Sequence, residues 1–438
     1  MNLYAGLEWW QIVVGVVGGL FLLMILVLIH ELGHAIFALK NGVEVEEFGL
    51  GMPPRAVRIG YVYHFAKDQK TGKIRHGKFA KFTTNEKEIV KKYGKIQSKT
   101  LITLNWLLPL GGFCKMKGES DSDRRKGSFG AATFTGKTKI LLAGVSVNLL
   151  AAMVIFTVLA WVGMPVADES QWSMPGDNHG ARGTVVVRDV VKDSPAEKSG
   201  LKNGDEIREM SADQINGIGQ KVGEKDVKNI TVATQVGAFT HAHAGEKINL
   251  EILRNGQKIT VNSQLNSAKD SAKGILGVST AQKDAPTIRA TWSAPLVGIV
   301  NTLQFVWMTL AGLVGLVGNL LTGLFGILTG VKGAGAEIGA ASGSVAGPVG
   351  IFGILAQGIF ARPEQLLFIT GIISLTLTVM NLLPVPAFDG GRWYLIAWYR
   401  IRKRDLTEEK EGRIVGIGVM IIIAIFILAT LSDVLKMI

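Results

Sequence analysis

The residues with most chemical capacity stand inside an apolar run, as His30-Glu31-Leu32-Gly33-His34. On a helix, positions four apart fall about 40° from one another on one face, so both imidazoles can reach a single ion. Glu31 stands beside them, placed to take a proton from a water that the metal activates. Two imidazoles and a carboxylate among lipid-facing residues cost several kcal/mol unless they are paired, hydrated or metal-bound. A satisfied polar helix contact is the bland alternative. The single cysteine, Cys114, excludes an intramolecular disulfide framework and any multi-cysteine zinc site, so seven His with Asp and Glu form the ligand pool.

A tetrahedral zinc with one open position takes a third protein ligand. The best candidate is Asp389, in Asn381-Leu-Leu-Pro-Val-Pro-Ala-Phe-Asp389-Gly-Gly391. Pro384 and Pro386 break a helix there, and the two glycines let backbone approach closely, so that Asp389 can turn inward. A plain helix stop with a solvated Asp389 is the alternative.

These residues must be carried by membrane spans. A 48% share of apolar and aromatic residues, 54 glycines and a mean hydropathy of +0.30 are too apolar for an ordinary soluble protein of 438 residues, and they exclude intrinsic disorder. Apolar runs at about 9–39, 140–163, 366–386 and 414–431 predict four helices. The first lacks a basic n-region and is too long for a signal peptide, so it reads as a retained span. The net charge of +12 sits between Lys40 and Lys139, with 21 basic and 9 acidic side chains, whereas 165–290 carries 16 of each. The basic loops then face the cytoplasm and anionic lipid, and the charge-balanced segment lies outside; no motif accompanies the charge that would speak for nucleic acid. The charge-free stretch 290–331 is expected to be interfacial or re-entrant, with a hairpin as the other option. Within 180–282, alternating strand-like segments and the Asn255-Gly256 hairpin signal predict a small β-rich module.

Together these features resemble the site-2 protease family of intramembrane zinc metalloproteases, in its bacterial regulator-of-sigma-E branch. Ser194-Pro-Ala, Ser199-Gly-Leu and Asn203-Gly-Asp-Glu-Ile within the module resemble a bacterial PDZ domain, a fold that binds peptides by strand addition. The resemblance implies a polytopic α-helical membrane protein with about four spans, a membrane re-entrant β segment and an inserted extracytoplasmic PDZ-like α+β domain. The expected boundaries are 1–40 for the first span, 41–139 for the cytoplasmic-side β segment with a basic insertion, and 140–164 for the second span. The PDZ-like domain takes 165–285, the interfacial or re-entrant segment 286–364, and the last two spans 365–438. The resemblance further implies one zinc ion on His30, His34 and Asp389, with Glu31 as general base. Asn381 matches the asparagine thought to hold substrate, and Pro384 in the same motif is grouped with it. Phe48-Gly49-Leu50-Gly51 and Pro109-Leu-Gly-Gly-Phe-Cys-Lys-Met116 resemble the re-entrant β segment, whose edge is proposed to clamp an unwound substrate. Asn148, in Ala143-Gly-Val-Ser-Val-Asn148, matches a second-helix motif and joins the substrate-binding set, although Val145 replaces the usual proline. Gly347-Pro-Val-Gly-Ile351 also looks like a family element.

The activity implied is hydrolysis of peptide bonds in or near the transmembrane segments of single-span proteins in the bacterial inner membrane. The N-terminus would be outside, and an upstream site-1-type protease would act first. Anti-sigma-factor-like regulators and remnant signal peptides are both compatible substrates, and the PDZ-like domain would filter them. The basic segment 66–100 has no obvious counterpart in that branch and reads as a leaflet-docking element, a partner contact or a solvated loop. His241 and His243 read as surface residues, and Cys114 as packing near the site. A non-catalytic PDZ-bearing scaffold with a structural metal has no need of Glu31. A zinc transporter predicts further intramembrane His or Asp, which the second and fourth runs lack.

Overall fold

The computed structural model describes residues 9–65, 77–81, 86–93, 95–168, 170–179, 183–215, 221–267, 274–284, 286–329 and 363–437. Two compact units emerge: one takes Phe156–Gln304 and a stretch from Leu321 onward, and the other takes the chain up to Ile155, Phe305–Leu320 and the C-terminal region.

Helix α1, Trp9–Lys40, is 32 residues of almost wholly apolar sequence. At 1.5 Å per residue it is about 48 Å long, more than a bilayer core requires. Val13, Val17, Phe21, Ile25, Leu32 and Ile36 form an exposed apolar stripe, while Leu26, His30, Gly33, His34 and Ala38 are buried on the other side. This is the helical period separating a lipid-type surface from a protein-facing one. Strands β1 (Val45–Phe65), β2 (Lys78–Lys81) and β3 (Ile96–Met116) follow in an antiparallel sheet of order β2-β1-β3, and helix α2 (Glu86–Tyr93) precedes β3. Both long strands bend, so that the first part of β1 is flanked on both sides: Gly49 pairs with Phe113 and with Thr103, and Leu50 with Gly112 and with Leu104. Tyr63 and Phe65 of β1 bury Ile89 of α2, with Tyr61, Ala80, Tyr93 and Ile96 around them. The described part of the basic insertion is therefore a folded extension with its own small core; 66–76 and 82–85 lie outside the described residues.

Helix α3 (Phe134–Leu141) starts where Thr133 Oγ1 accepts the Gly136 N–H at 3.1 Å, and α4 (Ala143–Val162) follows after a one-residue break. Val145 sits in the first turn of α4, where valine and proline are both accommodated. Ala38, Val45, Met116, Phe129 and Ile140 join α1, the sheet and α3 in one apolar cluster.

The second unit is the β-rich module. It contains β4 (Met164–Pro165), β5 (Asn178–His179), β6 (Thr184–Val190), α5 (Pro195–Lys198), β7 (Glu206–Ile215), β8 (Lys221–Asn229) and α6 (Ala233–Ala242). β9 (Lys247–Arg254), β10 (Gln257–Gln264), β11 (Val278–Asp284) and β12 (Thr287–Arg289) complete it. The main sheet has the order β10-β9-β7-β6-β11, with β8 on β7, and β12 joins β4 and β5 in a small second sheet. Alternate residues Ile248, Leu250 and Ile252 of β9 enter the core with Val185, Val187, Ile207 and Met210. Asn255 (φ 50°) and Gly256 (φ 80°) make the predicted two-residue turn between β9 and β10, the positive φ pair that type I′ geometry demands.

Helix α7, Ala294–Leu328, is continuous over 35 residues. Among the described residues a hairpin or re-entrant path for 290–331 has no turn to make it: Pro295 lies in the first turn of α7, and the helix runs on unbroken to Leu328. The chain then continues with α8 (Pro363–Leu382), α9 (Asp389–Ile401) and α10 (Glu408–Met437). Among the described residues, four helical segments are long and apolar enough to cross a membrane: Trp9–Lys40, Ala143–Val162, Ala294–Gly315 and Pro363–Leu382. The third of these falls in the stretch expected to be interfacial, and the predicted run 414–431 lies inside α10. The expected family element Gly347–Ile351 lies outside the described residues.

Candidate metal centre

His30 and His34 are one turn apart on the buried face of α1, 7% and 5% exposed. Asp389 arrives from the far end of the chain as the first residue of α9. Pro384 and Pro386 keep helix from continuing beyond Leu382, and Phe388 is extended before α9 begins. The turn is tight enough that a Cβ on Gly391 would run into the Val385 carbonyl, and one on Gly390 would come 2.6 Å from the Leu382 carbonyl oxygen. Only glycine fits at both, and the result is an Asp389 turned back towards α1.

The three side chains converge. His30 Nε2 and His34 Nε2 lie 3.0 and 3.1 Å from Asp389 Oδ2, and 3.1 Å from each other. Donor–metal distances of ~2.0–2.1 Å in tetrahedral zinc sites imply donor–donor edges of about 3.3 Å, so the cluster has the dimensions and the N, N, O donor set of such a site. His34 Nδ1 donates to the Ile140 carbonyl, in the last turn of α3, at 2.8 Å. That bond leaves Nε2 as the ligating atom. Asp389 retains 24% side-chain exposure, so the centre is reached from its side. Among the described residues, this is the one group of three such side chains able to share an ion.

Glu31 is partly buried beside the imidazoles, and the backbone of Cys114 in β3 hydrogen-bonds to it. Cys114, expected to pack near the site, orients the carboxylate through its backbone. Gly144, the second residue of α4, also borders the centre. A Cβ there would stand 2.5 Å from His30 Cε1 and 2.6 Å from the Nε2 atoms of both histidines. The signal was present as a small residue one turn before Asn148 in an apolar helix, the usual mark of close helix approach.

Other expected site residues fall differently. Asn148, expected to bind substrate, is fully buried with its amide against His30 Nδ1, so it touches a candidate ligand instead. Gly49, Leu50 and Gly51 do not form an open edge: the first two are paired on both sides, and the Gly51 carbonyl accepts from Asn105 Nδ2 at 2.8 Å. The bend of both strands, invisible in local periodicity, encloses them. The outer strand of that part of the sheet is Gly112–Met116, beyond which no described strand pairs. Asn381 is partly exposed at the end of α8 and donates to the Leu377 carbonyl at 3.0 Å, and Pro384 is exposed. In the module, His243 is held by Glu246 at 3.0 Å rather than sharing an ion with His241.

Comparison with known proteins gives this geometry a relation. A family model for peptidase family M50 matches residues 18–69 and 90–425. The zinc metalloprotease RasP of Shouchella clausii is 25% identical over 94% of this chain and 97% of its own length. RasP of Geobacillus kaustophilus is 23% identical over 94% of this chain and 95% of its own. For RasP of Oceanobacillus iheyensis the figures are 24%, 95% and 98%.

Proposed function

The chain belongs to peptidase family M50 and is a multi-pass membrane zinc metalloprotease, and we propose that it hydrolyses peptide bonds in or near the transmembrane segments of single-span substrates. In this reading His30, His34 and Asp389 hold one zinc ion. The observation that carries it is the meeting of two α1 imidazoles with a carboxylate 355 residues away from the nearer of them, beside a glutamate and among apolar helices. When bound, zinc supplies a Lewis acid for the scissile carbonyl and lowers the pKa of water towards about 7. Glu31 takes the proton of the attacking water and passes it to the leaving amine, held for both tasks by the Cys114 backbone.

A substrate helix hides its carbonyls in internal hydrogen bonds and must unwind to be cut. The sheet edge next to Glu31 is Gly112–Met116 rather than Gly49–Gly51, and its carbonyls can take N–H groups that unwinding frees, the Cys114 and Met116 N–H groups being held by Glu31 and Glu119. Asn381 and Pro384, at the exposed end of α8, border the approach to Asp389 and contact the substrate backbone. The module is a PDZ-like domain on the extracytoplasmic side, where α6 packs against the edge strand β11, the strand to which an extended peptide would add. It screens substrates whose outer domain has been trimmed by an upstream protease: anti-sigma-factor-like regulators or remnant signal peptides. The membrane is a bacterial inner membrane, with the metal centre towards the cytoplasm, on the charge asymmetry of the loops.

The test is to map cut sites by mass spectrometry on a panel of single-span substrates bearing either short outer stubs or folded outer domains, in detergent and in liposomes. Cuts within the spans of the short-stub set support the reading. Cuts confined to soluble loops, or no cuts in either medium by zinc-loaded protein, overturn it.

A further inference from the structure

The two histidines differ in what holds the ring nitrogen facing away from Asp389. His34 Nδ1 meets a carbonyl, which only accepts, so the proton sits on Nδ1 and Nε2 presents its lone pair. His30 Nδ1 meets the side-chain amide of Asn148, whose Nδ2 is 3.4 Å away while Oδ1 is buried without a partner. An amide nitrogen there can only donate. It would strip Nδ1 of its proton and put one on Nε2, the atom 3.0 Å from Asp389 and 3.1 Å from His34 Nε2, and a protonated Nε2 cannot ligate.

We propose that Asn148 is a positioning residue for His30: turned by half a rotation, its amide oxygen accepts from His30 Nδ1–H and commits Nε2 to the metal. The two ends of the amide are nearly isosteric, so the half-turn asks for no repacking. It gives His30 the acceptor that the Ile140 carbonyl gives His34. Asn148 is fully buried, so no solvent can take over this task, and its backbone carbonyl accepts from Ser374 Oγ at 2.9 Å. Gly144, one turn earlier on the same face, brings α4 close enough for the contact. Outer-shell acceptors of this kind orient a ligating imidazole and change metal affinity by roughly 10–100-fold when removed.

The inference rests on the zinc site proposed above. Two variants of the full-length protein separate acceptor from donor: N148D keeps the acceptor and removes the donor, and N148L removes both. Zinc affinity is read by chelator competition and the ligand set by the absorption spectrum of the cobalt(II)-substituted protein, on monodisperse samples. The expected result is N148D within about threefold of wild type and N148L weaker by about 10–100-fold with an altered cobalt spectrum. Equal losses in both variants, or wild-type binding by N148L, overturn the proposal. Should N148L not yield monodisperse protein, N148D decides alone, a loss of tenfold or more counting against it. A wild type that takes up no zinc would instead sink the site assignment beneath it.

Discussion

The β-rich module and the metal-bearing helical unit handle buried polarity in opposite ways. In the module, Asp205 is 1% exposed and is met by Arg254, with its Nε at 2.6 Å from Oδ1 and its Nη2 at 2.7 Å from Oδ2, while the Lys202 N–H adds a bond at 2.7 Å. The buried carboxylate is answered by a counter-charge and a backbone donor. In the helical unit two imidazoles, a carboxylate and a buried amide point at one another with too few protons and acceptors to go round. The first arrangement is complete as it stands and stabilises a fold, whereas the second has the donor set of a cation site.

Asp389→Ala should lower zinc from about one ion per chain to under about a tenth and abolish cleavage, because two imidazoles leave the site a ligand short. Metal analysis of purified protein checks this, and the module should keep its hydrogen-exchange protection. Gly144→Ala comes next. Alanine is favoured over glycine in a helix by about 1 kcal/mol, but its methyl overlaps both imidazoles at a cost of about 1–3 kcal/mol, so a modest fall in thermal midpoint is expected together with zinc binding weakened more than about tenfold. Zinc binding would then suffer more than stability from one methyl group.

Asp205→Ala tests the other side. It leaves the Arg254 guanidinium without its buried partner, and a loss of about 3 kcal/mol is expected, at the low end for a broken buried pair because Arg254 keeps 24% exposure. Denaturant unfolding of the full-length protein should show it, with zinc content unchanged. Burial works against ionising Asp205, yet Arg254 and the Lys202 N–H hold its carboxyl below the ordinary range. A depressed folded pKa means that the stabilisation is complete above the unfolded value of about 3.9 and is lost as pH falls through the lower folded value. Exchange protection of module peptides should therefore decline on that acid limb in wild type, and D205N should remove the limb. The smallest effect is Gly256→Ala, which strains a φ of 80° with nothing within 4 Å to clash, for about 1 kcal/mol in the module alone.

The same contrast explains what was legible beforehand. The Asn255-Gly256 turn and the alternation of β9 are local, and the sequence carries both. His30, Glu31 and His34 are legible because one helical turn fixes their relation, and Asp389 because prolines and glycines announce a turn. The double-sided pairing of Gly49 and Leu50 was not legible: it depends on both long strands bending together, and the register of strands half a hundred residues apart has no local signature. Asn148 and Gly144 were visible as residues of a motif, but which histidine they touch follows from the packing of α4 on α1. The continuous α7 is obscured by its six glycines, which weaken a helix signal that apolar packing restores.

The central claim is that Glu31 performs chemistry at a zinc held by His30, His34 and Asp389. Its most direct test is a side-by-side measurement of zinc content and cleavage of a short-stub single-span substrate by wild type and Glu31→Gln. The account predicts about one zinc per chain in both proteins and cleavage by the wild type alone. Cleavage by Glu31→Gln at the wild-type rate would contradict it.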